Sequence, residues 1–205
     1  MSDNQFSTTE EQASYGIGMQ MGQQITTAFP GVSIAAAMEG LEDAISNKPP
    51  QVSIDDINAA FQVVQEKLRS DQAANAEQHA SEGTAFLEQN AIRDDVIVTE
   101  TGLQYEVITE GDGEKPNASS KVRTHYRGTL INGTEFDSSY SRNEPTEFPV
   151  NGVIPGWTEA LQLMNVGSKW KLYIPYQLAY GKQGAGGSIG PYQALVFELE
   201  LLAII

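Results

Sequence analysis

No proline interrupts residues 53 to 90, and no other stretch of the 205-residue chain restricts its fold as strongly. Ser53 is placed to cap a helix, with Asp55 and Asp56 in the first turn, where negative charge suits the helix dipole. Ile54, Ile57, Phe61, Val64 and Leu68 then recur at spacings of three and four, a short heptad-like seam. Beyond Leu68 the seam fades while helix formers persist through Gln72-Ala73-Ala74-Asn75-Ala76-Glu77-Gln78. One helix on the order of 50 Å long is expected at about 1.5 Å per residue. A helix of that length with so narrow an apolar stripe cannot bury itself.

Two shorter helices precede it. Thr8-Thr9-Glu10-Glu11 has the form of a capping box, followed by Tyr15, Gly18, Gly22, Ile25 and Phe29 at helical spacing. Gly18 and Gly22 lie one turn apart on one face. Interior glycine costs about 1 kcal/mol relative to alanine, so the pair marks either close approach of another backbone or simple tolerance. Pro30-Gly31 breaks this helix, and Ser33 caps the next, whose stripe is Ile34, Met38, Leu41 and Ile45. Asn47-Lys48-Pro49-Pro50 stops it. These stripes are too small for an independent core. They predict a homodimer built from residues 1 to about 68, with Ile57, Phe61, Val64, Leu68, Gly18, Gly22, Met38 and Leu41 at or near the interface; the alternative is packing on the chain's own second half.

The texture changes between Asn90 and Thr101, from Ala, Gln and Met to Val, Tyr, Gly and Pro. That predicts two domains, 1–90 helical and 91–205 built on strands. The net charge of −15 disfavours a nucleic-acid partner, which needs a basic face. The absence of cysteine removes disulfides, thiol catalysis and Cys-ligated metal. No apolar run of about 18 residues suggests a membrane span, and the first residues carry neither a basic nor an apolar segment, so a cytoplasmic protein is expected.

In the second half, Leu103, Tyr105 and Val107 alternate as a strand, and Val122 to Leu130 forms another. Asn132-Gly133 is a hairpin signal compatible with a type I′ turn. Glu135 to Ser139 follows, then a short strand at Phe148, a helix over 157–164, a strand through Trp170, Leu172 and Ile174, and a final strand from Ala194 to Ile205. The class is α+β, a sheet with one short helix on one face. Gly184 to Gly190 lacks a G-K-[ST] ending and leads into a strand, so it is no phosphate cradle. His79 and His125 lie in different halves without an evident partner, so no metal site is expected, and no Gly-x-Ser-x-Gly elbow occurs. The remaining candidates for a binding site are Asp137 and an apolar set: Tyr126, Phe136, Val153, Ile154, Trp157, Tyr180, Ile189 and Phe197. Alone, Val153-Ile154-Pro155-Gly156-Trp157 reads as a pocket rim and floor or as a loop before a core tryptophan.

Tyr126-x-Gly128-Thr129-Leu130, Gly133-Thr134-Glu135-Phe136-Asp137-Ser138-Ser139, Val153-Ile154-x-Gly156-Trp157, Ile174-Pro175 with Ala179-Tyr180-Gly181, and Leu195-Val196-Phe197 resemble the motifs of FKBP-type peptidyl-prolyl isomerases, in order and spacing, over about 101–205. The helical half resembles the dimerisation domain of the macrophage infectivity potentiator-like branch, whose long helical arms give a V-shaped dimer with a cleft. The resemblance implies an antiparallel sheet wrapped on the short helix, and rotation of X-Pro bonds in folding proteins without cofactor or metal. It implies a proline ring over Trp157, walled by Tyr126, Phe136, Val153, Ile154 and Phe197, with Ile154 N–H and Tyr180 hydroxyl as donors. Asp137 would tune the site's field, or cap a turn, or both. Tacrolimus and rapamycin are implied ligands. Thr146 departs from the aromatic residue of small relatives and Ala185 from a histidine in some, and both changes remove contact area. The competing function is a proline-binding module or chaperone that grips unfolded chains without catalysis.

Overall fold

The computed structural model describes residues 6–28 and 31–205. Phe29 and Pro30, which the sequence places at the end of the first helix, lie outside the described residues. The chain divides into two compact units, Met1–Asp71 and Gln72–Ile205.

The first unit holds helices α1 (Thr9–Ala28), α2 (Ile34–Ile45) and the beginning of α3 (Ile54–Ala91). Each starts as its residues dictate. Thr8 Oγ1 accepts from Glu11 N–H at 3.1 Å while Glu11 Oε2 accepts from Thr8 N–H at 3.0 Å, a reciprocal capping box. Ser33 Oγ accepts from Ala36 N–H and Ser53 Oγ from Asp56 N–H. None of the described residues of this unit is buried. Met38 and Phe61 are more than half exposed, at 56% and 53%. The narrow stripes read from the sequence meet no core among the described residues of the unit.

The last turns of α3 belong to the second unit and are pinned there. Gly83 allows close approach: a Cβ at that position would meet Ala194 Cβ at 3.2 Å. Phe86 packs at 6.0 Å from the Tyr173 ring. Asn90, buried, donates to Gln104 Oε1 at 2.9 Å, and Gln104 donates to Leu87 O at 2.9 Å. Arg93 donates to Asn90 Oδ1 and the Tyr173 hydroxyl, both at 2.9 Å, and pairs with Glu106.

The sheet comprises β1 (Ile97–Val98), β2 (Gln104–Thr109), β3 (Lys121–Leu130), β4 (Glu135–Ser138), β5 (Thr146–Pro149), β6 (Lys169–Ile174) and β7 (Leu195–Ile204). Its order is β1-β2-β6-β7-β3-β4, all antiparallel, with β5 also paired to β3. Along β3 the side chains alternate, burying Val122, Thr124 and Tyr126 on one face. Helix α4 (Pro155–Leu163) lies on that face and buries Trp157, Ala160 and Leu161 against Leu172, Ile174, Leu195, Phe197 and Leu199. Proline at its first position presets φ and gives up an N–H that has no helical partner there.

One turn differs from expectation. A type I′ hairpin needs positive φ at both central residues. Among the described residues the non-glycine residues with positive φ are Asn47, Asn143 and Tyr192, so Asn132 is not one; Gly133 alone is left-handed, at +86°. The loop is instead Ile131 to Gly133, closed by Gly133 N–H to Leu130 O and Leu130 N–H to Thr134 O, each 2.9 Å. The Asn132 side chain takes Thr134 N–H at 3.0 Å, which removes the need for a second left-handed residue. The two-residue strand β1 and the short 3-10 turns Val150–Gly152 and Tyr176–Leu178 carry too little periodicity to be read from sequence.

Leu172, fully buried at the centre of β6, should show what this core contributes. Leu172→Ala is expected to cost about 2–5 kcal/mol in urea unfolding. Fluorescence follows the second unit alone, because both tryptophans, Trp157 and Trp170, lie there; an unchanged midpoint would reject this core.

Candidate functional site

A cavity of about 420 Å³ opens between α4 and the sheet, lined by Tyr126, Phe136, Asp137, Thr146, Phe148, Gly152, Val153, Ile154, Trp157, Tyr180 and Phe197. Trp157 is its floor, 6% exposed at the start of α4. Three rings meet the indole: Tyr126 at 5.1 Å and 75°, Phe197 at 5.1 Å and 79°, and Phe148 at 5.5 Å and 45°. Phe136 stands edge-on to Phe197 at 5.5 Å and 85°. Edge-to-face pairs of this kind place the positive edge of one ring on the negative face of another, which fixes orientation as well as contact. The indole N–H, buried, has no acceptor among the described residues.

The space depends on a missing side chain. Gly128 of β3 lies beneath Phe136 and Phe197, and a Cβ there would stand 2.6 Å from Phe197 and 2.7 Å from Phe136. Any larger residue forces these rings to move.

The segment before α4 is anchored at both ends. Val150 N–H donates to Ser120 O at 2.9 Å, and Thr158 Oγ1 donates to Val150 O at 2.7 Å. Ile154 is the helix N-cap, and its carbonyl accepts from Trp157 and Thr158 N–H. Its own N–H has no acceptor among the described residues. Tyr180, 39% exposed, stands at the rim, and its hydroxyl likewise has no partner among them.

The polar side of the cavity is one network. The Tyr126 hydroxyl donates to Asp137 Oδ2 at 2.5 Å, and Arg142 reaches both Asp137 Oδ1 and the Tyr126 hydroxyl, the latter at 2.9 Å. Burial alone would raise the Asp137 pKa, but the Tyr126 hydroxyl and the Arg142 guanidinium outweigh it and hold the carboxyl below its ordinary value. Burial, then the bond to Asp137, raises the Tyr126 pKa; burial, then the charge of Asp137, raises that of Tyr180. The carboxylate is therefore kept ionised and both phenols neutral. Behind them, buried Ser139 Oγ accepts from Tyr126 N–H at 2.7 Å and lies 2.9 Å from His125 Nδ1.

The structure brings together Tyr126, Phe136, Asp137, Val153, Ile154, Trp157, Tyr180 and Phe197. Ile189 is buried in the adjoining core rather than in the lining, and Ala185 packs beside that core. Thr146 does line the wall. Arg142 and Phe148 were not named as site residues from the sequence, Phe148 being read only as part of a strand. Arg142 sits five residues beyond Asp137 in a polar turn where a cation carries no distinguishing pattern. Among the described residues no group of three His, Cys, Asp or Glu could hold a metal ion, and no helix there is long and apolar enough to cross a membrane.

Two family models match this chain. Residues 10–107 match the domain amino terminal to FKBP-type peptidyl-prolyl isomerase, and residues 112–202 match FKBP-type peptidyl-prolyl cis-trans isomerase. The chain is 50% identical over 201 residues to the FKBP-type 22 kDa peptidyl-prolyl cis-trans isomerase of Escherichia coli K12, with 98% of each covered. It is 36% identical over 201 residues to Outer membrane protein MIP of Legionella longbeachae, covering 96% of this chain and 86% of that protein. The crystal structure of FkpA from Escherichia coli is similar with a TM-score of 0.71 at 35% identity, over 97% of this chain and 98% of that one.

The network sets a pH signature. Because the Asp137 pKa is lowered on folding, its contribution to stability is complete above the unfolded value of about 3.9 and is lost as pH falls through the folded value. The stability difference between the native chain and Asp137→Asn should therefore be level from about pH 5 to pH 8 and shrink below about pH 4. Urea unfolding across that range checks it; a difference that grows toward acid would contradict the assignment.

Proposed function

Since the chain belongs to the FKBP-type peptidyl-prolyl cis-trans isomerase family and is a peptidyl-prolyl cis-trans isomerase, we propose that the aromatic cavity over Trp157 is where its X-Pro bond turns. The observation that carries the reading is the combination of an aromatic floor and walls with two free donors at the edge, Ile154 N–H and the Tyr180 hydroxyl.

The barrier to rotating an amide is about 18–20 kcal/mol and arises from its resonance. Twisting the bond breaks that resonance and leaves a less polar group. A cavity that replaces water by aromatic and aliphatic surface stabilises the twisted amide relative to the planar one. The proline ring lies on Trp157 between Tyr126, Phe136, Val153, Ile154 and Phe197. Ile154 N–H donates to a substrate carbonyl, and the Tyr180 hydroxyl offers a second hydrogen bond at the rim. Asp137 transfers no proton: with Arg142 it fixes the Tyr126 hydroxyl and sets the local field. No nucleophile or cofactor enters this mechanism. Tacrolimus and rapamycin occupy the same cavity in this reading, with Thr146 giving less contact than an aromatic side chain would.

Phe136→Ala opens one wall without touching the Asp137 network. On a short X-Pro peptide it should lower kcat/KM by about tenfold or more, equivalent to about 1.4 kcal/mol, and weaken inhibition by tacrolimus in parallel. Unchanged kinetics and unchanged inhibition would reject this cavity.

The helical residues 1–90 serve, in the same proposal, as a dimerisation domain and arm. Support comes from the first unit's own surfaces: Ile34, Met38 and Phe61 are all exposed, and none of the described residues there is buried. A second copy is the occupant whose stripes match by construction. Light scattering at micromolar concentration should give twice the 22.2 kDa chain mass; a mass equal to one chain would refute the dimer.

A further inference from the structure

The loop from Gly181 to Gln193 leaves Tyr180 at the cavity rim and returns to β7 beside α3. Its conformation is demanding. Gly184 is left-handed at +70°, and a Cβ there would fall 2.2 Å from Ile189 O. Tyr192 is left-handed at +59°, a region that bulky side chains avoid and that persists only where surrounding contacts enforce it.

Two of those contacts come from one side chain on α3. His79 Nδ1 lies 3.0 Å from Pro191 O, and His79 Nε2 lies 3.4 Å from Gln193 Nε2. The two partners flank Tyr192 in sequence. A carbonyl only accepts, so Nδ1 carries a proton toward Pro191 O, and Nε2 accepts from the Gln193 amide. The orientation of that amide is fixed independently, because Gln193 Oε1 accepts Gly190 N–H at 2.8 Å. Gly190 makes room for the ring: a Cβ there would stand 2.8 Å from His79 Cε1.

From Tyr192 the path to the cavity is short. Tyr192 N–H donates to Gly181 O at 3.0 Å, its ring packs 5.0 Å from Tyr176, and Gly181 N–H donates to Tyr176 O at 2.9 Å. These bonds close the chain on either side of Tyr180.

We propose that His79 is a positioning residue for the isomerase: its two ring nitrogens hold the Pro191–Gln193 turn against the arm helix, and that turn fixes Tyr180 at the cavity rim. The proposal rests on the reading of the cavity as the proline site. It makes the helix more than a spacer, since the residue that sets the rim is carried by the arm.

The test uses the full chain with His79→Ala and His79→Asn, the latter keeping an N–H donor where Nδ1 stands. His79→Ala should raise KM for a short X-Pro peptide about fivefold with kcat within twofold, the pattern of lost uniform binding, and speed amide hydrogen exchange at Gly190 and Tyr192. His79→Asn should recover most of both. Unaltered exchange in His79→Ala overturns the His79 contact. Faster exchange without a change in KM overturns its role in the site. Equal loss in both variants means that ring packing rather than hydrogen bonding is at work and also overturns the proposal. Exchange reads the loop without reference to the cavity, so failure of the cavity reading, exposed by an inert Phe136→Ala, is told apart from failure of the His79 contact.

Discussion

The contact of the Trp157 indole with Tyr126, Phe148 and Phe197 holds the fold and, in the proposed mechanism, serves the chemistry as well. Helix α4 is only nine residues long and could not persist alone in water. It is held by burying Trp157, Ala160 and Leu161. The same burial sets the indole face as an apolar floor, so a proline bound there as proposed would meet a surface whose reorganisation was completed when the chain folded. An enzyme that works by desolvating an amide needs this rigidity. A floor free to tilt would admit water, and water favours the polar, planar form.

How far this was legible in the sequence varies with the distance over which each feature is encoded. Caps are local, and Thr8, Ser33 and Ser53 sit where their side chains predict. The helices and the longer strands followed from periodicity. The aromatic wall was legible because the residues recur at family spacing, yet Ile189 sits in the adjoining core, since a loop position near a cavity does not fix which way its side chain is buried. The Asn132-Gly133 turn defeated local rules because the Asn132 side chain supplies a hydrogen bond that replaces a second left-handed residue. Arg142 and His79 were illegible for a deeper reason. Their roles depend on partners that only the tertiary fold brings near: the Tyr126 hydroxyl is 16 positions from Arg142, and Pro191 O is 112 from His79.

Helix α3 changes its environment along its length. Its beginning carries the Ile57-Phe61-Val64-Leu68 seam in a unit where none of the described residues is buried. Its end is fastened by Asn90, Gln104, Arg93 and Tyr173. Local stability follows such contacts. The terminal turns should resist opening as the sheet does, whereas the first turns depend on whatever covers them.

Gly128 shows what the cavity demands of the sequence. Cores close toward the density of organic crystals, and a chain chosen for stability alone would fill the space beside Phe136 and Phe197. This chain leaves a methyl group out within its longest strand pairing, opposite Phe197, where glycine weakens the strand. An effort to thermostabilise the protein by replacing strand glycines would therefore find its most tempting target at the position where, if the cavity is the proposed site, rigidity and turnover are opposed.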